Sequence, residues 1–149
     1  MNNLSANLAE VDMQLTQMGA KVTNLHGLVS FIHFNLNQTE LFYVYNINSK
    51  NQYFLQMVKP FSTGAGVFSK PQDIVQYIKD DLKQFKNASN SNVFPEFTSV
   101  NQALCSTIQD IKDVFMTYNV PQDKMLQIKG KIDEISALLD GIRKTGAIL

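Results

Sequence analysis

Two glycines and a lysine near the middle of the chain have some of the features of a phosphate-binding loop. The segment FSTGAGVFSKPQDIVQYIKDD, residues 61–81, runs through Gly64 and Gly66 into a helical pattern. A Walker loop needs the spacing G-x-x-x-x-G-K-[ST], in which backbone N–H groups surround the phosphate and the hydroxyl binds Mg²⁺. Here Ser69 replaces the second glycine and Pro71 replaces the hydroxyl residue, and the dinucleotide spacing G-x-G-x-x-G also fails at Ser69. We therefore interpret the segment as a turn-forming loop between a strand and a helix.

The single cysteine and the histidines are the remaining candidates for nucleophilic or acid–base chemistry. A catalytic cysteine needs a base close to it, but Cys105 lies beside the apolar stripe of a predicted helix and His33 within an apolar strand pattern. We interpret Cys105 as an inert, partly buried thiol. An unsatisfied imidazole at His33 would cost about 1–3 kcal/mol, so we interpret it as a hydrogen-bonded core residue, a ligand contact or a pH-responsive group. The sequence has no Cys pair, His-x-x-x-His or Asp-x-Asp spacing, so we expect no metal site and no cofactor.

Charge and composition restrict the classes of partner. Basic and acidic residues balance at 13 each, and Arg143 is the one arginine. Because arginine is the preferred side chain for phosphates and base edges, we expect no nucleic-acid partner. No run approaches the roughly 18 apolar residues of a membrane span, and the first residues are too polar for a secretory signal. A lone cysteine also suits a reducing compartment, so we expect a cytoplasmic protein without a membrane partner.

Three evenly spaced runs rich in β-branched and aromatic residues predict a three-stranded antiparallel β-meander. The runs lie at about 28–36, 40–48 and 52–59, and short polar segments that favour turns separate them. Four-residue loops at the two hairpins would pair Leu36 with Leu41 and Ile47 with Gln52. Both faces of this sheet are largely apolar, so we expect helices or a partner to cover both.

Heptad-like spacing of apolar residues predicts helices around this sheet. We predict an N-terminal helix at about 3–25, a middle helix at about 70–87, and a C-terminal antiparallel helical hairpin at about 100–118 and 121–144. The fold class is therefore α+β. The length predicts a single domain, residues 1–149.

The predicted function follows from helices that offer apolar seams rather than from grouped reactive side chains. We predict a non-enzymatic protein–protein interaction protein, such as an adaptor, an assembly subunit or a chaperone-like partner binder. It would self-associate as a homodimer or a larger assembly through its heptad-patterned helices. The pattern leaves open whether the first helix packs internally or against another subunit. The residues assigned to the interaction surface are Leu8, Leu15, Met18, Gly130, Ala137 and Gly141.

A small-molecule-binding or sensory domain is the alternative. Its pocket would lie beside the aromatic meander, under one of the helices, with the glycine segment as its rim. The residues assigned to this pocket are His33, Asn46, Tyr43, Tyr45, Tyr53, Gly64 and Gly66.

Overall fold

A computed structural model describes residues 2–25, 29–36 and 39–147, with side chains from residue 7 onward. The chain divides into two compact units, Met1–Cys105 and Ser106–Leu149. The elements are α1 (Asn2–Gln17), β1 (Lys21–Leu25), β2 (Val29–Leu36), β3 (Thr39–Ile47), β4 (Tyr53–Lys59), β5 (Thr63–Phe68), α2 (Pro71–Ala88), α3 (Phe94–Thr117) and α4 (Gln122–Thr145). The α+β class is confirmed, whereas folding as a single domain stays a prediction.

The strands form one antiparallel sheet in the order β1-β2-β3-β4-β5, so each strand pairs with its neighbours along the chain. The predicted meander corresponds to β2, β3 and β4. The predicted number of three strands is wrong, because β1 and β5 extend the sheet by one strand at each edge. The turn between β2 and β3 lies outside the described residues, but the strands on either side of it pair Leu36 with Thr39, not with Leu41 as predicted.

The first helix is shorter than predicted because a glycine ends it. Gly19 adopts a left-handed backbone conformation with φ of 95°. Its N–H donates to the carbonyl of Thr16 and the N–H of Ala20 donates to that of Leu15, both at 3.0 Å. These two bonds are a Schellman cap, which satisfies the last carbonyls of a helix. The chain then continues as β1, so the prediction of a helix over 3–25 is wrong beyond residue 17.

The glycine segment is an edge strand rather than a loop. Gly64 and Gly66 lie in β5, where they pair with Gln56 and Leu55 of β4. Ala65 is the extra residue of a β-bulge between these two pairs, and Gly66 has a φ of 138° that disfavours any side chain. The interpretation of this segment as a loop is therefore corrected.

The turn between β3 and β4 determines on which face of the sheet each β4 side chain lies. Asn48 Oδ1 accepts hydrogen bonds from the backbone N–H groups of Lys50 and Gln52, each at 2.9 Å, and Asn51 is left-handed with φ of 57°. This tight turn pairs Ile47 with Tyr53, not with Gln52 as predicted. A shift of one residue moves every side chain of a strand to the opposite face.

Helices α1 and α2 cover one face of the sheet, which we call the inner face. Its core combines alternate residues of β2, β3 and β4 with the apolar stripes of both helices. The core residues from these elements are Leu8, Val11, Leu15, Ile32, Phe34, Leu41, Tyr43, Tyr45, Tyr53, Leu55, Met57, Ile74, Val75, Ile78 and Phe85. Neither α1 nor α2 packs against the opposite face. These two helices therefore cover only one of the two apolar faces.

An aromatic cluster explains why α3 begins earlier than predicted. Phe94 stacks edge-on against Phe85 at a centroid distance of 6.3 Å, and Phe61 contacts Phe97 at 5.6 Å. These contacts anchor the first turn of α3, where Pro95 is tolerated because the N–H that it lacks would have no helical partner. The helix therefore starts at Phe94, and the predicted start at about residue 100 is wrong.

A partly buried hydrogen bond links the sheet to α2. Tyr43 Oη donates to Asp81 Oδ2 at 2.5 Å. Burial raises the pKa of the Asp81 carboxyl, although the hydrogen bond from Tyr43 opposes this. Burial, together with the Asp81 carboxyl, raises the pKa of Tyr43 well above its usual range.

We expect Tyr43→Phe to lower the free energy of unfolding by about 1–3 kcal/mol, because the half-buried Asp81 carboxylate loses its donor. The control is Asp81→Asn, whose amide oxygen still accepts from Tyr43, and we expect a smaller change. Urea unfolding at neutral pH measures both. Equal stability of Tyr43→Phe and the original protein would contradict the prediction.

We also expect the protein to lose stability at alkaline pH through Tyr43 and Tyr45. Burial raises the pKa of both hydroxyls above the ordinary value of 10.0. Above about pH 10 the unfolded chain releases these protons while the folded chain retains them. The free energy of unfolding should therefore fall by up to about 1.4 kcal/mol per pH unit for each tyrosine. Urea unfolding between pH 9 and about 11 measures the slope. Tyr45→Phe should reduce this slope.

Candidate functional site: an apolar helical seam and a recess on the sheet

The second unit presents apolar side chains along both of its helices. In α4 they recur at steps of four and three, the spacing of a coiled-coil seam. Ile135 is 47% exposed, and Ile108 on α3 is 69% exposed. We define the C-terminal seam as the exposed residues Ile108, Phe115, Tyr118, Ile132, Ile135, Leu139 and Ile142. The predicted hairpin would bury these side chains between its two helices, but the structure leaves them exposed.

The polar side of α4 contains ion pairs within the helix. Lys129 Nζ lies 2.7 Å from Asp133 Oδ2, and Arg143 Nη1 lies 2.6 Å from Asp140 Oδ1. Such pairs contribute only a few tenths of a kcal/mol each. None of residues 106–147, the described part of the second unit, is buried. The unit therefore has helices but no core of its own.

Small residues lie on the side of α4 away from the seam. An added Cβ at Gly130 or Gly141 would meet no atom within 4 Å, and Ala137 is exposed. Within the described part of the second unit, no other helix packs closely against these two glycines. The assignment of these three residues to an interaction surface stays a prediction.

The structure places the α1 part of the predicted interaction surface in the core. Leu15 is fully buried and Leu8 is 5% exposed, while Met18 is half-buried against the same core. The first helix thus packs internally, against the inner face of the sheet and α2. Its apolar spacing serves the core of its own unit, and the assignment of these residues to a surface is corrected.

The outer face of the sheet is open and bears a row of four directly opposed side chains. Lys21 of β1 pairs with His33 of β2, His33 with Phe42 of β3, and Phe42 with Lys59 of β4. Phe31 stacks on Phe42 at a centroid distance of 6.1 Å and an interplanar angle of 18°. His33 meets the Phe42 ring edge-on at 6.2 Å.

These side chains line a recess of about 480 Å³, which we call the outer recess. Its lining residues are Lys21, Thr23, Phe31, His33, Glu40, Phe42 and Lys59. Sequence reasoning selected only His33 among them. The alternation of β2 and β3 placed Phe31 and Phe42 on the same face as His33, and this was a usable signal. Lys21 was missed because β1 was predicted as helix.

The charges of the outer recess are partly paired. Glu40 Oε2 accepts a hydrogen bond from Lys59 Nζ at 2.7 Å, and Glu40 Oε1 lies 3.6 Å from His33 Nε2. The hydrogen bond and charge of Lys59, with a smaller effect from His33, hold the pKa of the Glu40 carboxyl below its usual range. Within the part of the chain that the structure describes, Lys21 has no ion pair.

The other residues of the predicted pocket fall into two groups. Asn46, Gly64 and Gly66 line a separate recess of about 330 Å³ on the outer face. The tyrosines do not belong to either recess, because their side chains are buried on the inner face. These three tyrosines are Tyr43, Tyr45 and Tyr53. Tyr53 lies on the inner face because the register of β4 differs by one residue from the prediction. The prediction that groups all seven residues in one pocket is therefore corrected.

Cys105 lies apart from both recesses. Its thiol donates to the backbone carbonyl of Ser62 at 3.1 Å and is half-buried. Among the described residues, no group of three or more His, Cys, Asp and Glu side chains is arranged to hold a metal ion. No described helix is long and apolar enough to span a membrane.

Comparison with known protein families, with curated proteins and with solved structures finds no match to this chain.

Proposed function

We propose that this protein is a non-enzymatic protein–protein interaction protein, an assembly subunit that self-associates through its heptad-patterned C-terminal helices. The observation that carries the proposal is the exposure of the C-terminal seam. A helix in water owes most of its stability to the packing of its apolar stripe. The seam lacks that packing within one copy of the chain, and a second helical surface would supply it.

The charge of the second unit favours a second copy of the same chain as the partner. Residues 106–149 carry six acidic and six basic side chains, so their net charge is zero. They are Asp110, Asp113, Asp123, Asp133, Glu134 and Asp140, and Lys112, Lys124, Lys129, Lys131, Arg143 and Lys144. A surface with balanced charge does not select a strongly acidic or basic partner. An apolar seam flanked by both signs is complementary to itself, as the isologous interface of a symmetric homodimer requires.

Sedimentation velocity over a wide range of protein concentration tests this function. We expect the average mass to rise from one chain to two or more as the concentration increases, with no added component. A protein that stays monomeric throughout would overturn self-association. The C-terminal seam would then have to bind a different protein, which is the adaptor or chaperone-like form of the same prediction.

The outer recess favours small-molecule binding as a second candidate function. Its volume lies within the range of about 300–1,000 Å³ that is usual for small-molecule sites. It combines an aromatic floor with a small number of charged groups, which is the usual composition of such sites. This candidate depends on the first unit alone, so it can hold whether or not the protein self-associates.

A further inference from the structure

We propose that the outer recess binds a planar aromatic carboxylate. This inference rests on the second candidate function and does not depend on self-association through the C-terminal seam.

The floor of the recess is apolar and largely aromatic. The rings of Phe31 and Phe42 are stacked nearly parallel with centroids 6.1 Å apart, and His33 is edge-on to the Phe42 ring at 6.2 Å. These side chains are only half-buried, so they remain accessible to a ligand. An aromatic ligand would pack against these exposed rings, because offset-stacked and edge-to-face arrangements are both favoured between aromatic groups.

The charge of the recess calls for an anion. Lys59 and Glu40 compensate one another through their 2.7 Å hydrogen bond. His33 shares the same carboxylate at 3.6 Å, so the acid is already occupied by two partners. Lys21 is the remaining ammonium of the lining, and it has no acidic partner among the described residues. The lining thus has one uncompensated positive charge.

The width of the row sets the distance between ring and carboxylate. Neighbouring strands lie about 4.8 Å apart, so the backbones of Lys21 on β1 and Phe42 on β3 are about 10 Å apart. The long side chain of Lys21 can cover much of this distance. A ligand whose carboxylate is attached directly, or by one carbon, to a one- or two-ring aromatic system would therefore reach both groups.

Binding of 1-naphthaleneacetate, followed by the chemical shifts of backbone amides, tests the proposal. We expect saturable shifts in β1–β4 around the outer recess. The uncharged analogue 1-naphthaleneethanol has the same rings, and we expect it to bind more weakly. Lys21→Gln should weaken binding of the carboxylate by about fivefold, the effect of one partly exposed ion pair, and leave binding of the alcohol unchanged. Phe42→Leu keeps most of the apolar volume but removes the ring, so it should weaken binding of both.

Lys50→Gln is the matched control, because Lys50 is an exposed lysine in the β3–β4 turn and outside the recess. It should bind the carboxylate as the original protein does. No saturable binding at millimolar concentration, equal binding of the two compounds, or an unchanged affinity of Lys21→Gln would each overturn the proposal. Ile135→Asp should retain binding, so that failure of self-association and failure of ligand binding are told apart.

Discussion

Ile135→Asp is expected to make the protein monomeric at concentrations at which the original protein associates. Ile135 lies at the centre of the α4 part of the C-terminal seam. A carboxylate there would have to be desolvated in the interface, and the burial of the isoleucine would be lost. Because each subunit of a symmetric dimer contributes one such position, association should weaken by more than about 100-fold. Sedimentation velocity measures the change.

Ala137→Asp is the matched control for this charge. It places the same carboxylate two residues further along α4, on the side with Gly130 and Gly141. If the C-terminal seam forms the interface, this variant should associate as the original protein does. If Ala137→Asp dissociates the protein and Ile135→Asp does not, the interface lies on the small-residue side instead. Circular dichroism should show comparable helix content in both variants, so that a loss of association is not mistaken for unfolding.

Leu15→Ala is expected to lower the free energy of unfolding by about 2–5 kcal/mol. Leu15 is fully buried in the core of the inner face, so the shorter side chain leaves a cavity among well-packed neighbours. Such a loss is a large part of the total stability of about 5–15 kcal/mol that is usual for a protein of this size. Urea unfolding, followed by far-ultraviolet circular dichroism, measures it.

Met13→Ala is the control on the same helix, because Met13 is 55% exposed. It should change the stability by less than about 0.5 kcal/mol. Where Leu15→Ala is still folded, its self-association should equal that of the original protein. Dissociation of Leu15→Ala without loss of stability would return α1 to the interaction surface and contradict the internal packing of this helix.

Most of the first unit could be predicted because its signals are local. The runs in β2, β3 and β4 are rich in β-branched and aromatic residues, and α2 has a single apolar stripe after Pro71. The end of α1 could also have been found. Gly19 is a typical C-cap residue in the sequence. The predicted helix extended past it because the apolar spacing continues through β1.

The faces of β4 could not be assigned from periodicity. The residues from Tyr53 to Lys59 alternate equally well in either register. The choice depends on the length of the preceding turn, which follows from the left-handed conformation of Asn51 and the hydrogen bonds of Asn48. The observed loop between Ile47 and Tyr53 is one residue longer than the predicted loop between Ile47 and Gln52, and this one residue reverses the faces of β4.

For the candidate sites too, some features could be predicted from local sequence patterns and others depend on the fold. His33 lines the outer recess, and its neighbours in the row come from β1, β3 and β4. Strand pairing, not sequence spacing, brings Lys21 and Lys59 to the same face. The C-terminal seam was visible as a heptad pattern, whereas its exposure was not.

The amino-acid sequence by itself determined the α+β class, the three central strands, the middle helix and the apolar spacing of the last two helices. These features depend on the periods of helix and strand and on residues that favour turns, which act over a few neighbouring positions. Only the tertiary structure decided that the seam of α1 is buried, that the seam of α3 and α4 is exposed, and that one face of the sheet stays open. A helix that packs in the core of its own chain and a helix that packs against a partner have the same apolar spacing. The difference lies in contacts between residues distant in the chain, which no local pattern records.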